Sequence, residues 1–208
     1  MDQSLKQIIA IFFGIIILSI GFYGNFLPWA KSSSYVRASQ EATSATSLEQ
    51  LEKIIQPPLD MPSPIGQPEL VRNLANSLMN VIRSNTDQEL IDRCLKLMAK
   101  YYSPIIEWGK GMSFGQDLYI VGIIHETAAI QSQNAAYLDI AEQAFLTGVG
   151  ESPNRPQHLY GLLDVYKMKQ DGDRFKGVAD KILENWPQDE KTRKLVEELV
   201  VAVPKDKK

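Results

Sequence analysis

Apolar residues recur at steps of three and four along most of the chain after Ala30, which is the spacing of helices that bury one face. One clear stripe follows Pro68 and Glu69, residues suited to a first helical turn, and it consists of Leu70, Leu74, Leu78, Val81 and Ile82. Similar stripes predict six more helices, identified by buried residues or by approximate bounds: Leu90, Ile91, Cys94, Leu95, Met98 and Tyr101; 117–131; 135–147; from Pro156; 174–186; and from Asp189 through Leu195, Leu199 and Val203.

The first thirty residues follow a different pattern, a continuous apolar run. Residues 8–24 carry no charge and include seven isoleucines and two adjacent phenylalanines. Extended to Trp29, the run reaches about twenty residues with interruptions at Asn25 and Pro28. At about 1.5 Å per residue it can cross a hydrocarbon core of about 30 Å. We therefore predict a single transmembrane helix.

The flanks of this run favour an uncleaved anchor over residues 1–30. Lys6 and Lys31 bracket it, and Tyr23 and Trp29 occupy positions typical of interfacial aromatic residues. The alternative is a cleaved signal peptide, whose apolar region is typically about 7–15 residues long and precedes a small-residue cleavage site. Positive charges occur on both flanks, so the charge pattern leaves the membrane orientation open.

Breaks between the predicted helices complete the domain plan. A short helix around Leu48–Ile55 is expected to form a membrane-proximal helical hairpin over 31–58, and the proline-rich stretch 56–68 is expected to be extended. Residues 104–116 are predicted to be irregular, and Gly148, Gly150 and Gly172 to lie in breaks. Residues 59–203 then form helical repeats, and 204–208 a disordered polar tail.

Short connections predict antiparallel hairpins, and hairpins of this length suggest the tetratricopeptide (TPR) repeat, whose period is about 34 residues. One stretch fits its small–aromatic–small–proline spacing: Ala141, Phe145, Gly148 and Pro153, followed by Leu159, Leu162 and Tyr166 at the start of a new unit. The other units are degenerate. The predicted fold class is all-α: an N-terminal transmembrane helix followed by a TPR-like α-solenoid of antiparallel helix hairpins.

Three segments resemble the TPR-containing C-terminal tails of bacterial O-antigen ligase/polymerase-like membrane proteins: residues 137–142, 152–157 and 62–69. The order of one hydrophobic helix followed by repeats is also similar. The resemblance implies a bacterial cytoplasmic membrane location with the repeats extracytoplasmic. The multipass catalytic domain of that family has no counterpart here, so no catalytic residue carries over. Two possibilities remain open: a stand-alone tail that acts with a separate membrane subunit, or a truncated relic.

Composition and motifs offer little chemistry. The net charge is −3 without a basic stripe, so nucleic acid is not an expected partner. Cys94 is the sole cysteine and is interpreted as a buried apolar residue. His125-Glu126 begins like a zinc-protease motif, but Ala129 stands where the second histidine belongs. His158, after Pro156, is predicted to be on the surface.

No Walker loop, dinucleotide motif or nucleophile elbow occurs, so we expect no enzyme, catalytic residue, cofactor or metal. The expected function is a membrane-anchored scaffold that binds another membrane or envelope protein through its repeats. The candidate partner-binding residues are Tyr160, Asp164 and Lys167. The alternatives are a hydrolase or transferase acting on envelope glycans, which would need two facing carboxyl groups, and a purely structural tail.

Overall fold

The computed structural model describes residues 2–202, and their side chains as far as residue 198. Over this range the chain is all-helical, without strands. Its elements in chain order are α1 (Gln3–Gly21), a π-helical turn (Phe22–Phe26), α2 (Leu27–Ala42), α3 (Leu48–Asp60), α4 (Gln67–Arg83), α5 (Gln88–Trp108), α6 (Phe114–Ser132), α7 (Ala136–Glu151), α8 (Pro156–Met168), α9 (Gly172–Asn185) and α10 (Glu190–Ala202).

The chain forms two compact units, Met1–Asn76 and Ser77–Lys208, and the division falls inside α4. The first unit contains α1 to α3 and the start of α4. The second contains the end of α4 and the helices α5 to α10. Residues 203–208 lie outside the described part of the chain, so the predictions for Val203 and for the tail over 204–208 concern residues that the structure does not describe.

In the first unit, α1, the π-helical turn and α2 form one continuous helix of 40 residues, Gln3–Ala42, that is long and apolar enough to cross a membrane. Asn25 and Pro28, which interrupt the run of apolar residues, do not end this helix. The Leu27 N–H bonds to the Phe22 carbonyl, five residues back, so the turn before Pro28 is wider than an α-turn. The wider turn gives the proline ring room that an ordinary helix interior lacks.

The second half of this helix packs on α3. The N-terminus of α3 is capped by the Ser47 hydroxyl, which accepts a hydrogen bond of 3.2 Å from the Gln50 N–H. The apolar residues buried in the two helices are Tyr35, Ala38, Leu48, Leu51, Ile55 and Leu59. This stripe of buried side chains holds α2 and α3 together as a helical hairpin.

The prediction that residues 56–68 are extended was wrong over most of that stretch. Helix α3 continues to Asp60 although it contains Pro57 and Pro58, and α4 begins at Gln67. The non-helical connection is therefore only 61–66. The prolines fall in the last turns of α3, where each removes one hydrogen bond, and the burial of Pro58 and Leu59 offsets that loss.

In the second unit, each helix from α5 to α9 packs on the next one in the chain, and α6 also packs on α8. Helices α6, α7 and α8 are therefore in mutual contact, and α9 packs on α8. The prediction for α5 is confirmed at five of its six positions, because Ile91, Cys94, Leu95, Met98 and Tyr101 are buried, whereas Leu90 is only partly buried.

Two predicted breaks in this unit were wrong in extent or position. Helix α5 passes through Pro104 to Trp108, and only residues 109–113 are irregular. Pro104 is exposed, so water can bond the carbonyl that the proline leaves free. Gly148 and Gly150 lie inside α7. The break around Gly172 is confirmed, because residues 169–171 separate α8 from α9 and Gly172 is the first residue of α9. Gly109, with φ of 62°, is the glycine that does end a helix.

Candidate partner-binding surface

The contact between α6 and α8 depends on how one aromatic ring is accommodated. Phe145 of α7 is fully buried, and its ring lies against Gly122 of α6 and Gly161 of α8. A Cβ atom at Gly122 would come within 2.3 Å of the ring, and one at Gly161 within 2.5 Å. These distances are far below van der Waals contact, so the three helices can approach this closely only because both positions are glycine.

The prediction that His158 lies on the surface was wrong, since only 1% of it is exposed. Its ring packs on Gly148, where a Cβ atom would lie 2.3 Å away, and on Tyr119, with ring centroids 6.0 Å apart. Its Nδ1 atom is buried without a hydrogen-bond partner. Burial and the nearby Arg155 charge lower the pKa of His158, so the neutral ring is the packed form.

Glycine spacing explains why His158 is inside. The first turn of α8 runs past the end of α7, and Gly148 leaves a gap that the imidazole ring fills. A proline at the first helical position indicates where a helix begins, but it does not indicate which neighbouring helix covers that turn. The sequence signal that could have revealed the burial was therefore Gly148, which we had interpreted as a helix break.

The three candidate binding residues lie on one face of α8, at steps of four and three. Lys167 is exposed, whereas Asp164 and Tyr160 are half-buried. The Tyr160 hydroxyl donates a hydrogen bond to Asp189, whose carboxylate also accepts one of 3.0 Å from the Thr192 N–H at the start of α10. Tyr160 therefore connects α8 to α10, while Asp164 and Lys167 make no side-chain hydrogen bond to another residue of the described part of the chain.

Two residues of α6, Tyr119 and Glu126, join the α8 residues. They are seven positions apart and therefore lie on one face of the helix. Burial raises the pKa of the Tyr119 hydroxyl, and the negative charges of Glu126 and Asp164 raise it further. Burial raises the pKa of Asp164, and the positive charges of Lys191 on α10 and Lys167 on α8 partly offset that increase. We define the α6–α8 face as Tyr119, Glu126, Tyr160, Asp164, Lys167 and Lys191.

Sequence reasoning missed Glu126 because it considered this residue only as part of an incomplete zinc motif. Its companion His125 is buried, and its Nδ1 atom lies 2.8 Å from the Val121 carbonyl of the same helix. No group of three or more His, Cys, Asp or Glu side chains is arranged to hold a metal ion anywhere in the described residues. Cys94 is buried, which raises the pKa of its thiol to about 11 and makes it a poor nucleophile.

A second polar cluster centres on Glu142 of α7, which is buried. Its carboxylate accepts a 3.1 Å hydrogen bond from the Tyr166 hydroxyl and forms ion pairs with Lys169 and Arg174. The Arg174 guanidinium lies 4.8 Å from the centroid of the Tyr166 ring. The cluster ties α7 to the end of α8 and the start of α9, so it stabilises the packing of these three helices.

Tyr137, in the segment 137–142, also connects helices. The Tyr137 hydroxyl of α7 donates a hydrogen bond to Asp92 of α5 and accepts one from Gln88. Asp139 and Glu142, from the same segment, both pair with Lys169. These residues therefore connect α7 to α5 and to the end of α8.

The chain was compared with protein-family models, with curated proteins and with solved structures, and none of the three comparisons gave a match.

Proposed function

We propose that the chain is a membrane-anchored, TPR-like interaction module that binds another membrane or envelope protein through its α6–α8 face. One observation carries the proposal: the stacking of two helical hairpins so that alternate helices, α6 and α8, contact each other around Phe145. This arrangement presents the outward sides of alternate helices next to one another. A continuous binding surface can form there without any single helix supplying it.

The residue types on this face suit a protein partner. Tyr160 and Tyr119 supply rigid aromatic area, and Lys167 supplies an exposed charge beside the half-buried Asp164. Tyrosine is enriched in protein interfaces, and polar residues surround the buried part of such interfaces as a rim. The face combines two lysines, Lys167 and Lys191, with two carboxyl groups, Glu126 and Asp164, so it is not the basic surface that nucleic acid binds. The proposal therefore gives this chain a binding role and assigns no catalytic residue to it.

The resemblance to O-antigen ligase-like tails supplies the cellular setting of the proposal. The helix Gln3–Ala42 has the length and composition of a membrane span. In our proposal it anchors the protein in a bacterial cytoplasmic membrane, with the repeats on the extracytoplasmic side. The partner would be a membrane protein that polymerises or ligates envelope glycans, and this chain would hold that protein or its accessory subunits in place.

A site-specific cross-linking experiment tests the proposal. A photo-crosslinking amino acid replaces Lys167 on α8 or, as a matched control, the exposed Lys181 on α9, in the full-length chain expressed in its native cells. We expect position 167 to give an adduct with a membrane or envelope protein that position 181 does not give. The absence of any adduct at position 167, or the same adducts at both positions, would contradict the proposed binding surface.

A charge reversal gives a second readout of the same idea. Lys167→Glu leaves the packed side of α8 unchanged, so the fold should survive, while the charge of the α6–α8 face changes by two units. We expect less of the cross-linked partner to co-purify with this variant than with Lys181→Glu. Equal recovery in the two variants would show that the partner does not contact this face.

A further inference from the structure

Two carboxyl groups come together where α6 packs on α8. Glu126 belongs to α6 and Asp164 to α8, and both side chains are half-buried. The Oε2 atom of Glu126 is shielded from solvent and has no hydrogen-bond partner. The two groups are close enough for the negative charge of Asp164 to act directly on Glu126.

A shielded, unpartnered carboxylate oxygen beside a second carboxylate is an unfavourable arrangement when both groups are ionised. The oxygen has lost its water, no donor replaces that water, and the like charge repels it. A proton on Glu126 removes both penalties. Burial, and then the Asp164 charge, accordingly raise the pKa of Glu126 from its ordinary value of 4.5 to about 7.

The surrounding charges indicate which of the two groups takes the proton. Lys191 of α10 and Lys167 of α8 favour the ionised form of Asp164, whereas the charge that acts on Glu126 is the negative charge of Asp164. Tyr119, on the same helix, is the other titratable group that senses both carboxylates. In the described residues of α5 and α7, which also pack on α6, no charge contributes to the pKa of Glu126.

We propose that the α6–α8 contact is a pH-sensitive joint, in which Glu126 is protonated when the two helices are tightly packed and its ionisation loosens them. The joint is a property of the internal packing, so it holds whether or not the α6–α8 face binds a partner. Because Asp164 lies on that face, ionisation of Glu126 would add a negative charge beside the candidate binding residues. A change of pH near neutrality would then alter both the spacing and the charge of the surface.

The direction of the effect follows from linkage. The pKa of Glu126 is higher in the folded chain than in the unfolded chain, so its contribution to stability is complete below the ordinary value of 4.5 and is lost as the pH rises through about 7. Burial lowers the pKa of His125 and of His158, so these groups destabilise the fold in the opposite direction, as the pH falls below 6.5. Only a difference between variants isolates Glu126.

The test compares urea midpoints of the full chain in detergent micelles across the range from about pH 5 to about pH 8, where Glu126 titrates. The variants are Glu126→Gln, which cannot ionise, Asp164→Asn, which removes the neighbouring charge, and the exposed control Glu184→Gln on α9. We expect Glu126→Gln to lose less stability than the wild type as the pH rises, and the control to follow the wild type. Asp164→Asn should retain the transition but shift it to lower pH.

If the urea midpoints of the wild type and Glu126→Gln change equally with pH, the proposal is overturned. If the pH at which the midpoint falls is the same in Asp164→Asn as in the wild type, the Asp164 charge plays no part in the joint. A direct titration covers the case in which a variant does not fold. In wild-type protein labelled with ¹³C at the glutamate carboxyl carbons, we expect the Glu126 resonance to titrate at about pH 7. If no glutamate resonance titrates near neutral pH, Glu126 carries no proton there and the joint does not exist.

Discussion

The two units use different means to hold helices together. In the second unit, α6, α7 and α8 are held by shape, because Phe145 occupies the space that Gly122 and Gly161 leave open. In the first unit, the hairpin of α2 and α3 also depends on a buried cation. Lys31, only 3% exposed, donates hydrogen bonds from Nζ to the carbonyls of Leu59, at 3.2 Å, and Met61, at 2.5 Å.

This difference shows what a residue pattern can reveal. A helix ends with carbonyl groups that have no partner within the helix, and a positive charge there is favourable on both hydrogen-bonding and dipole grounds. The Lys31 side chain bonds to backbone carbonyl groups, which every residue has. No sequence motif therefore marks the helix end that accepts these hydrogen bonds. Packing of an aromatic ring against glycines requires particular residues at particular spacings, and it therefore leaves a recognisable signature.

The largest expected effect is the loss of the packed ring in the second unit. Phe145→Ala should lower the free energy of unfolding by about 3–5 kcal/mol, because it removes a fully buried ring and leaves a cavity between three helices. Urea unfolding of the full chain in detergent micelles measures this loss. The matched control is Leu146→Ala on the same helix, where the side chain is 43% exposed and the cost should be below about 1 kcal/mol. Similar losses in the two variants would show that Phe145 is not the centre of the packing.

The next effect concerns the cation in the first unit. Lys31→Met retains the aliphatic stem but leaves two carbonyls at the end of α3 without their donor, at a cost of about 1.5–3 kcal/mol. Hydrogen exchange at the C-terminal turn of α3 should accelerate by about tenfold or more. Lys53→Met, at an exposed position of α3, should leave the exchange unchanged. If both variants exchange alike, Lys31 does not cap α3.

A smaller effect tests the shape argument without removing the ring. Gly161→Ala should destabilise the fold by about 1–2 kcal/mol, because the overlap with Phe145 exceeds the usual helical advantage of alanine. In the Phe145→Ala background the same substitution should become neutral or stabilising. Urea midpoints of the four proteins in this double-mutant cycle measure the coupling. Additive effects would mean that Gly161 does not accommodate the ring.

The smallest effect is a pH dependence at His158. Its pKa is lowered in the folded chain, so its contribution is complete above the ordinary value of 6.5 and is lost as the pH falls below it. His158→Gln should therefore flatten the acid side of the stability profile without changing the side above neutrality. Midpoints measured in steps across this range provide the comparison. An acid side as steep as that of the wild type would indicate that His158 is protonated inside the fold.

The sequence sufficed for most helices and for the stripes that they bury, because apolar spacing reports burial directly. It failed at prolines and glycines, whose effect depends on neighbours far along the chain. Pro58 and Pro104 lie within helices, where Pro58 is buried in α3 and Pro104 is exposed on α5. Gly148 permits a close contact with His158 rather than ending α7.

The candidate surface was foreseen on one side only. Tyr160, Asp164 and Lys167 share a face of α8 by spacing alone, so a single helix was enough to group them. Glu126 comes from another helix, and its closeness to Asp164 depends on how α6 packs against α8. A sequence without recognisable internal repeats around Glu126 gives no register for that packing. The spacing of apolar residues therefore could not predict that the Asp164 charge acts on Glu126.

The uninterrupted helix Gln3–Ala42 has a mechanical consequence. At about 1.5 Å per residue it is about 60 Å long, about twice the thickness of the hydrocarbon core of a bilayer. When the helix is inserted in a membrane, roughly half of its length must therefore extend beyond the hydrocarbon core as a rigid rod. Lys31 connects α3 to that protruding half. A change in the tilt of the helix within the lipid would therefore move α3 together with it.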